Sequence, residues 1–309
     1  MGSEREAFDA MLAGRTSGRP AWVPRLEGLA ARLQSTSFRE MSADPDAWYA
    51  GLMRAGDMLG ADALLVGAEV TLLAEACGAE LDGSGGLSAI ARRPDALAAQ
   101  PLEARRLAAL LEVLRRLRAT VRARLGVVAA LCGPLLLATQ LYAEQAPEAA
   151  LRQVKAVHNG VVDALLATRP DLLLLIERFP GTGSDVLKAW QRAFGTLRNL
   201  AAHYDVPLAL RVEGWSADAV GELLALRLPV YVLGTGTGDA VQVARALAAP
   251  GTAVGVPLAP GAEAQAMLAA VAGARAAGSI CFLTTADDVG GQGDLGALRE
   301  FAAGVRRAA

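Results

Sequence analysis

Arginines and carboxylates recur at the points where short apolar segments of this chain end. Arg25 ends one such segment, and Arg211 lies two residues before Glu213 at the end of another. The same pattern holds for four more residues, Glu69, Glu177, Arg178 and Asp287. An arginine binds a carboxylate through two parallel hydrogen bonds, so arginines around a shared cavity suit an anionic substrate. The pattern therefore predicts a binding site for a carboxylate-bearing small molecule.

The apolar segments that carry these residues read as strands of one barrel. Helical stretches separate most of the eight candidates, which are Ala21–Arg25, Ala63–Gly67, Gly126–Cys132, Asp171–Glu177, Pro207–Glu213, Leu228–Gly234, Thr252–Leu258 and Ser279–Thr285. Eight such units predict an α/β fold of the (β/α)₈ type, a TIM barrel. We expect one domain over residues 1–309, with an N-terminal helix and loop at residues 1–20. Functional residues of this fold lie where the strands finish, an end that we call the mouth.

A purely structural interpretation of the charged residues is also open. Arg25, Arg178 and Arg211 could neutralise the neighbouring glutamates without contacting any ligand. Because each buried charge costs several kcal/mol, so many charges at strand ends favour a functional site over a structural one.

Other chemistries find less support in the sequence. The glycine-rich segment Gly234–Asp239 could cradle a phosphate, but a tight loop whose Asp239 caps the next helix is favoured. His158 and His203 fall inside predicted helices rather than at strand ends. The sequence contains no HExxH, CxxC or GxSxG motif, which argues against a conventional zinc or serine hydrolase.

Composition and charge limit the classes of partner. The net charge is −2 and no basic run stands out, which argues against nucleic-acid binding. No apolar run approaches the roughly 20 residues of a membrane span, and the charged N-terminus lacks the apolar segment of a signal peptide. Three widely spaced cysteines argue against a disulfide framework. We therefore expect a cytoplasmic protein whose partner is an anionic small molecule.

Four stretches carry a resemblance to a known superfamily. They are Arg5-Glu6-Ala7-Phe8, Trp22-Val23-Pro24-Arg25, Gly133-Pro134-Leu135 and Leu283-Thr284-Thr285-Ala286-Asp287-Asp288-Val289. Together they resemble uroporphyrinogen decarboxylase and the related barrel methyltransferases that handle corrinoids and thiols. The resemblance implies the same barrel and suggests a homodimer.

The resemblance also implies roles for individual residues. The decarboxylase holds its substrate's carboxylates with an Arg-Gln-Ala-Gly-Arg motif, which is matched here by Arg25-Leu26-Glu27-Gly28-Leu29. Arg25 is therefore the retained anchor. The family's central aspartate aligns with Glu69, and Gln140 replaces a family tyrosine.

The methyltransferase branch binds zinc through a His-x-Cys pair and a later cysteine. The matching positions here are Arg211, Glu213 and Asp287. Zinc that activates a thiolate needs soft ligands and arginine cannot ligate, so we predict no bound metal and no cofactor. A hard-metal site built from Glu213 and Asp287 is the alternative to a simpler cluster of Arg211 with carboxylates.

Taken together, these residues predict a cofactor-independent decarboxylase or lyase that acts on an anionic small molecule. Arg25 and Arg211 would anchor carboxylates, and Glu69 would stabilise a protonated intermediate or transfer a proton. Asp287 joins Glu69 and Arg25 in the predicted catalytic set, while the predicted substrate-binding set is Arg178, Arg211, Glu177, Glu213 and Gln140. Methyl transfer without the usual zinc ligands is one alternative, and a ligand-binding barrel without catalysis is another.

Overall fold

The fold was obtained as a computed structural model that describes residues 4–82, 90–183, 185–249, 251–259, 263–276, 280–289 and 294–308. Its main sheet has eight parallel strands, namely β1 (Trp22–Val23), β2 (Ala63–Val66), β5 (Gly126–Cys132), β6 (Leu172–Arg178), β7 (Leu208–Glu213), β8 (Val230–Leu233), β9 (Ala253–Leu258) and β10 (Ile280–Thr285). The hydrogen-bonded order is β1-β10-β9-β8-β7-β6-β5-β2. All eight predicted strands are present, and the sheet curves into a (β/α)₈ barrel.

Helices follow the strands around the outside. They are α1 (Glu4–Leu12), α2 (Glu27–Leu33), α3 (Phe38–Met41), α4 (Pro45–Leu59), α5 (Leu72–Ala76), α6 (Arg105–Thr120), α7 (Pro134–Leu141), α8 (Pro147–Ala167), α9 (Asp185–His203), α10 (Val220–Ala225), α11 (Ala240–Leu247), α12 (Glu263–Ala276) and α13 (Leu295–Ala308). Two short 3₁₀ helices cover Pro101–Glu103 and Ala217–Ala219. Within the described ranges, every helix is too short or too polar to cross a lipid bilayer.

One small element outside the barrel is absent from the sequence-based expectation. Strands β3 (Glu80–Leu81) and β4 (Ile90–Arg92) form an antiparallel pair beside the mouth-side connection between β2 and α6. The residues that join these two strands, 83–89, lie outside the described part of the chain.

Strand side chains alternate between two apolar clusters. Ala63 and Leu65 of β2 point into the barrel, whereas Leu64 and Val66 pack outward against helices. This alternation follows from the two-residue period of a strand. Each charged residue near a strand end can therefore be assigned to the inside or the outside of the barrel.

Helix α1 closes the end of the barrel opposite the mouth. Phe8 and Met11 project into the barrel interior. Phe8 packs so closely on Gly126 that a Cβ atom there would lie 2.3 Å from its Cε1 atom. Arg5 fixes the helix in place, because its Nη2 atom lies 2.9 Å from Oδ1 of Asp171. The N-terminal helix is thus a plug at the end of the barrel opposite the mouth.

Candidate functional site

Two arginines lie at the boundary between the barrel interior and the mouth. Arg25 and Arg211 line the upper part of an interior cavity whose other walls are mainly apolar. The cavity has a volume of only about 10 Å³, which is space for about one water molecule. The interior of the barrel is therefore too small to hold an organic molecule.

Arg25 presents an unsatisfied donor at this boundary. Its Nε atom is buried and has no hydrogen-bond partner among the described residues. The backbone of Arg25 is fixed by its neighbours, because its amide donates to Oγ1 of Thr285 at 3.0 Å and its carbonyl accepts from Val289 at 3.2 Å. A buried guanidinium nitrogen without an acceptor is costly unless a ligand supplies one.

Arg211 spans the mouth from β7 to the end of β10. Its side chain is 2% exposed, and its Nε atom donates to Oε1 of Glu213 at 2.6 Å. The two Nη atoms donate to the carbonyl oxygens of Thr285, at 3.3 Å, and Ala286, at 2.5 Å. Burial lowers the pKa of Arg211, Glu213 counteracts this, and the positive charge of Arg25 lowers the pKa further. Through its hydrogen bonds to Thr285 and Ala286, the side chain links β7 to the end of β10, two strands that are not neighbours in the sheet.

Glu213 is fully engaged by protein donors. One carboxylate oxygen accepts from Arg211, and the other accepts from the amide and hydroxyl of Thr235 at 2.5 and 2.7 Å. Burial raises the pKa of Glu213, but the charge of Arg211 and these hydrogen bonds outweigh it, so the net shift is downward. Of the arginine–glutamate neutralisations that the sequence left open, this is the one that forms.

The zinc site of the methyltransferase branch does not fit these residues. Arg211 occupies one matching position, its guanidinium is bound to Glu213 and cannot ligate a metal, and Asp287 is exposed. Across the described ranges, no group of three or more His, Cys, Asp or Glu side chains is arranged to hold a metal ion. The proposed pair of Glu213 and Asp287 is thus too small a donor set for a hard cation.

Arg178 and Asp287 are the exposed members of the mouth. Arg178 shares the inward parity of Ile176 on β6 and is exposed at the strand end. It packs beside Gly214 and forms no ion pair with a described residue. Asp287 is exposed, and its charge acts on Arg211. Both side chains are therefore accessible from solvent at the mouth.

Glu177 lies on the outside of the barrel wall. Its carboxylate accepts hydrogen bonds from the first amides of α7, Leu135 at 2.6 Å and Leu136 at 3.0 Å. Burial raises the pKa of Glu177 to about 8, against the lowering effect of these bonds. The side chain caps a helix and does not face the cavity that Arg25 and Arg211 line.

Glu69 and Gln140 surround the loop after β2. Glu69 is 8% exposed, forms an ion pair with Arg106 of α6, and accepts from the hydroxyl of Thr71 at 2.9 Å. Gln140 donates to the carbonyl oxygen of Val70 at 3.2 Å, and its own buried Oε1 atom has no partner among described residues. The two residues lie close to one loop, but neither lines the interior cavity.

Sequence reasoning missed two charged residues of this region. Arg106 is buried and contacts Glu69, Glu75 at 2.7 Å and Ser42 at 2.7 Å. The available signal was its spacing, because Arg106 lies four residues before Leu110 and so shares the buried face of α6. Glu27 is 3% exposed and follows Arg25 by two residues. A glutamate inside an apolar helix start was the corresponding signal.

The glycine-rich loop after β8 is a tight loop that leads into a capped helix, the interpretation that the sequence favoured over a phosphate cradle. Asp239 caps α11 by accepting from the amides of Val241 at 2.8 Å and Gln242 at 3.2 Å. A carboxylate therefore occupies the helix terminus at which a phosphate would bind.

Comparisons with known proteins agree with this barrel. The protein superposes on a methyltransferase from Methanosarcina mazei with a TM-score of 0.79 and 14% identity, and the superposition covers 99% of each chain. A 3-keto-D-glucoside 4-epimerase from E. coli superposes with a TM-score of 0.50 and 13% identity over 84% of this chain and 94% of its own. At such identities the likeness shows the fold alone. No curated protein matches the sequence.

A family match covers the N-terminal part of the chain. The sequence family described as uroporphyrinogen decarboxylase (URO-D) matches residues 3–168, which is more than half of the 309 residues. The matched stretch includes Arg25, Glu27, Glu69, Arg106 and Gln140. The protein therefore belongs to the uroporphyrinogen decarboxylase family.

Proposed function

We propose that this protein is a cofactor-independent decarboxylase that binds a carboxylate-bearing small molecule in the mouth of its barrel. The observation that carries the proposal is the buried Nε atom of Arg25, which has no acceptor in the described part of the chain and lies beside the cationic Arg211. Two guanidinium groups at one boundary repel each other, and an anionic ligand would relieve both the repulsion and the missing hydrogen bond.

The charges above this boundary support the same ligand class. Arg178 stands exposed without a described ion-pair partner, and Arg211 retains N–H groups beyond those used for Glu213 and the two carbonyls. A substrate carboxylate can therefore meet Arg25 and Arg211 below and Arg178 at the rim.

In the proposed decarboxylation, a proton from solvent first adds to the substrate and makes it a cation, which accepts the electron pair of the bond between carbon and the carboxylate as that bond breaks. Carbon dioxide leaves, a second proton from solvent forms a C–H bond at the same carbon and the first proton returns to solvent, so no oxidant or reductant is needed. Glu69 has a defined part in such a step. Because Arg106 pairs with it, Glu69 serves as a fixed negative charge that stabilises the positive charge of a protonated intermediate.

The direct test is turnover of uroporphyrinogen. The protein is incubated anaerobically with uroporphyrinogen, and loss of carboxylates from the product is followed by mass spectrometry. We expect the wild-type protein and Arg116→Ala, a control on the exposed face of α6, to release carbon dioxide at the same rate. Arg25→Ala should lower that rate at least about tenfold, since it removes a charge-assisted contact. Equal rates for Arg25→Ala and the wild type would contradict the proposal.

Two other functions correspond to other outcomes of this experiment. Binding of uroporphyrinogen without loss of carboxylates, abolished by Arg25→Ala, would indicate a ligand-binding barrel without catalysis. Methyl transfer is compatible with the family and with the barrel shared with the Methanosarcina mazei protein. Corrinoid binding in equilibrium dialysis, together with no release of carbon dioxide, would favour methyl transfer.

A further inference from the structure

The barrel closes between β1 and β2 without the regular ladder that joins its other strands. These two strands stand at opposite ends of the hydrogen-bonded order. Strand β1 is only two residues long, and Pro24, which follows it, has no N–H group to donate. Other groups must therefore hold the two strands together along this junction, which we call the seam.

Two buried carboxylates hold the seam, one at each end. At the end near α1, Asp62 accepts from the amide of Trp22 at 2.7 Å, and the amide of Asp62 donates to the carbonyl of Trp22 at 2.9 Å. At the mouth end, Glu27 spans the seam. One of its oxygens accepts from the amide of Gly67 at 2.7 Å and the other from the amide of Ala68 at 2.9 Å.

The position of Glu27 connects the two segments that carry predicted catalytic residues. Glu27 lies two residues after Arg25, and the amides that it binds belong to the loop immediately before Glu69. Gly67 adopts a φ of +90°, a conformation that side chains disfavour, so the loop turns sharply where Glu27 binds it. The carboxylate therefore fixes the Glu69 loop relative to the Arg25 segment.

We propose that Glu27 is a positioning residue that closes the seam at the mouth and holds Arg25 and Glu69 in one site. The proposal rests on the proposed function for the role of Arg25 and Glu69, but the clamp itself does not. It predicts that breaking the two hydrogen bonds of Glu27 weakens ligand binding more than it weakens the fold.

The titration of Glu27 gives the proposal a second measurable consequence, a pH dependence of ligand affinity. Burial raises its pKa to about 8, the Gly67 amide opposes this, and the charges of Asp288 and Arg25 act in opposite directions. The charged groups around it are Arg25 on its own segment, Asp288 on the loop after β10, and Glu69 beyond the amides that it binds. As the pH rises through about 8, Glu27 becomes an anion beside Arg25. Affinity for an anionic ligand should therefore fall in that range.

The test compares Glu27→Ala and Glu27→Gln with Asp62→Asn, which alters the carboxylate at the other end of the seam. Hydrogen exchange by mass spectrometry over residues 63–70 reports the clamp directly and needs no ligand. Uroporphyrin, a stable fluorescent polycarboxylate, serves as the binding probe, titrated between pH 6 and pH 9.

We expect faster exchange at the Gly67 and Ala68 amides in Glu27→Ala and unchanged exchange there in Asp62→Asn. Probe affinity should fall at least about tenfold in Glu27→Ala and stay within about twofold in Asp62→Asn. In Glu27→Gln, the loss of affinity above pH 8 should disappear, an effect that a merely structural role would not produce.

Three results would overturn the inference. The first is unchanged hydrogen exchange at the Gly67 and Ala68 amides in Glu27→Ala. The second is an equal loss of probe affinity in Glu27→Ala and Asp62→Asn, and the third is a pH profile of affinity in Glu27→Gln that matches the wild type. A wild-type protein that binds no uroporphyrin would instead refute the proposed ligand class, and the exchange measurement would still decide whether Glu27 is the clamp.

Discussion

The Nη2 atom of Arg211 donates to the carbonyl oxygen of Ala286 at 2.5 Å, across the mouth of the barrel. Strands β8 and β9 separate the two strands that this contact joins. The side chain therefore has two roles in one place, because it supplies a cation to the mouth and holds the end of β10 against β7.

Replacing Arg211 should reduce both stability and ligand binding. Arg211→Met removes the ion pair and leaves the Glu213 carboxylate without its cation, so we expect a loss of about 3 kcal/mol in the free energy of unfolding. Arg211→Met combined with Glu213→Gln should be more stable than Arg211→Met alone, because no unpaired carboxylate remains. Urea unfolding measures the free energy of unfolding of the single and the double variant. A double variant that is less stable than Arg211→Met would contradict the assigned pair.

Glu177 should make stability depend on pH. Its pKa of about 8 in the folded protein lies above the ordinary value of 4.5, so the folded state binds the proton more tightly than the unfolded state. The stabilisation is complete below about pH 4.5 and is lost as the pH rises through about 8. Urea unfolding between pH 5 and pH 9 should show this decline in the wild type and a shallower one in Glu177→Gln. Identical slopes would show that Glu177 is not the titrating group.

A methyl group at Gly133 should disturb the cap of α7. The added Cβ atom would lie 2.2 Å from Cγ of Glu177, and the glutamate cannot move away without losing its bonds to Leu135 and Leu136. We expect Gly133→Ala to cost about 1–3 kcal/mol. Gly160→Ala is the matched control, since nothing lies within 4 Å of its added Cβ atom in α8, and it should raise stability by about 0.5–1 kcal/mol. Thermal unfolding distinguishes the two variants, and similar melting temperatures would contradict this account.

Arg106 should matter far more than its neighbour Arg105. Arg106→Met leaves Glu69, which is 8% exposed, without its cation, and we expect a loss of about 3 kcal/mol in the free energy of unfolding. Arg105 is exposed, and its Nε atom donates to the carbonyl oxygen of Ala43 at 3.0 Å. Arg105→Met should therefore change stability little. If urea unfolding shows equal losses in the two variants, the ion pair of Arg106 with Glu69 contributes no more to stability than the exposed Arg105 does.

The strands of the barrel could be predicted because their signal is local. Each is a short apolar run bounded by turn residues, and eight such runs separated mostly by helices leave few alternatives to a barrel. The pair formed by Glu80–Leu81 and Ile90–Arg92 escaped prediction because neither piece has an apolar run long enough to stand out.

The direction of individual side chains was harder to predict. Strand β6 reads Leu-Leu-Leu-Leu-Ile before Glu177, so hydrophobicity does not distinguish its inner from its outer face. The sequence placed Glu177 with the substrate-binding residues, and the structure places it against α7. The partner of Glu69 was equally hidden, because Arg106 lies 37 positions away in the sequence, on helix α6.

The plug formed by α1 has a consequence for traffic through the protein. Phe8 and Met11 fill the far end, and the space between them and the arginines is about 10 Å³, so no organic molecule can pass along the barrel axis. Whatever enters at the mouth must leave by the same opening. Under the proposed function, a product held by the arginines of the mouth would block the next substrate until it dissociates, and its rate of departure would set an upper limit on turnover.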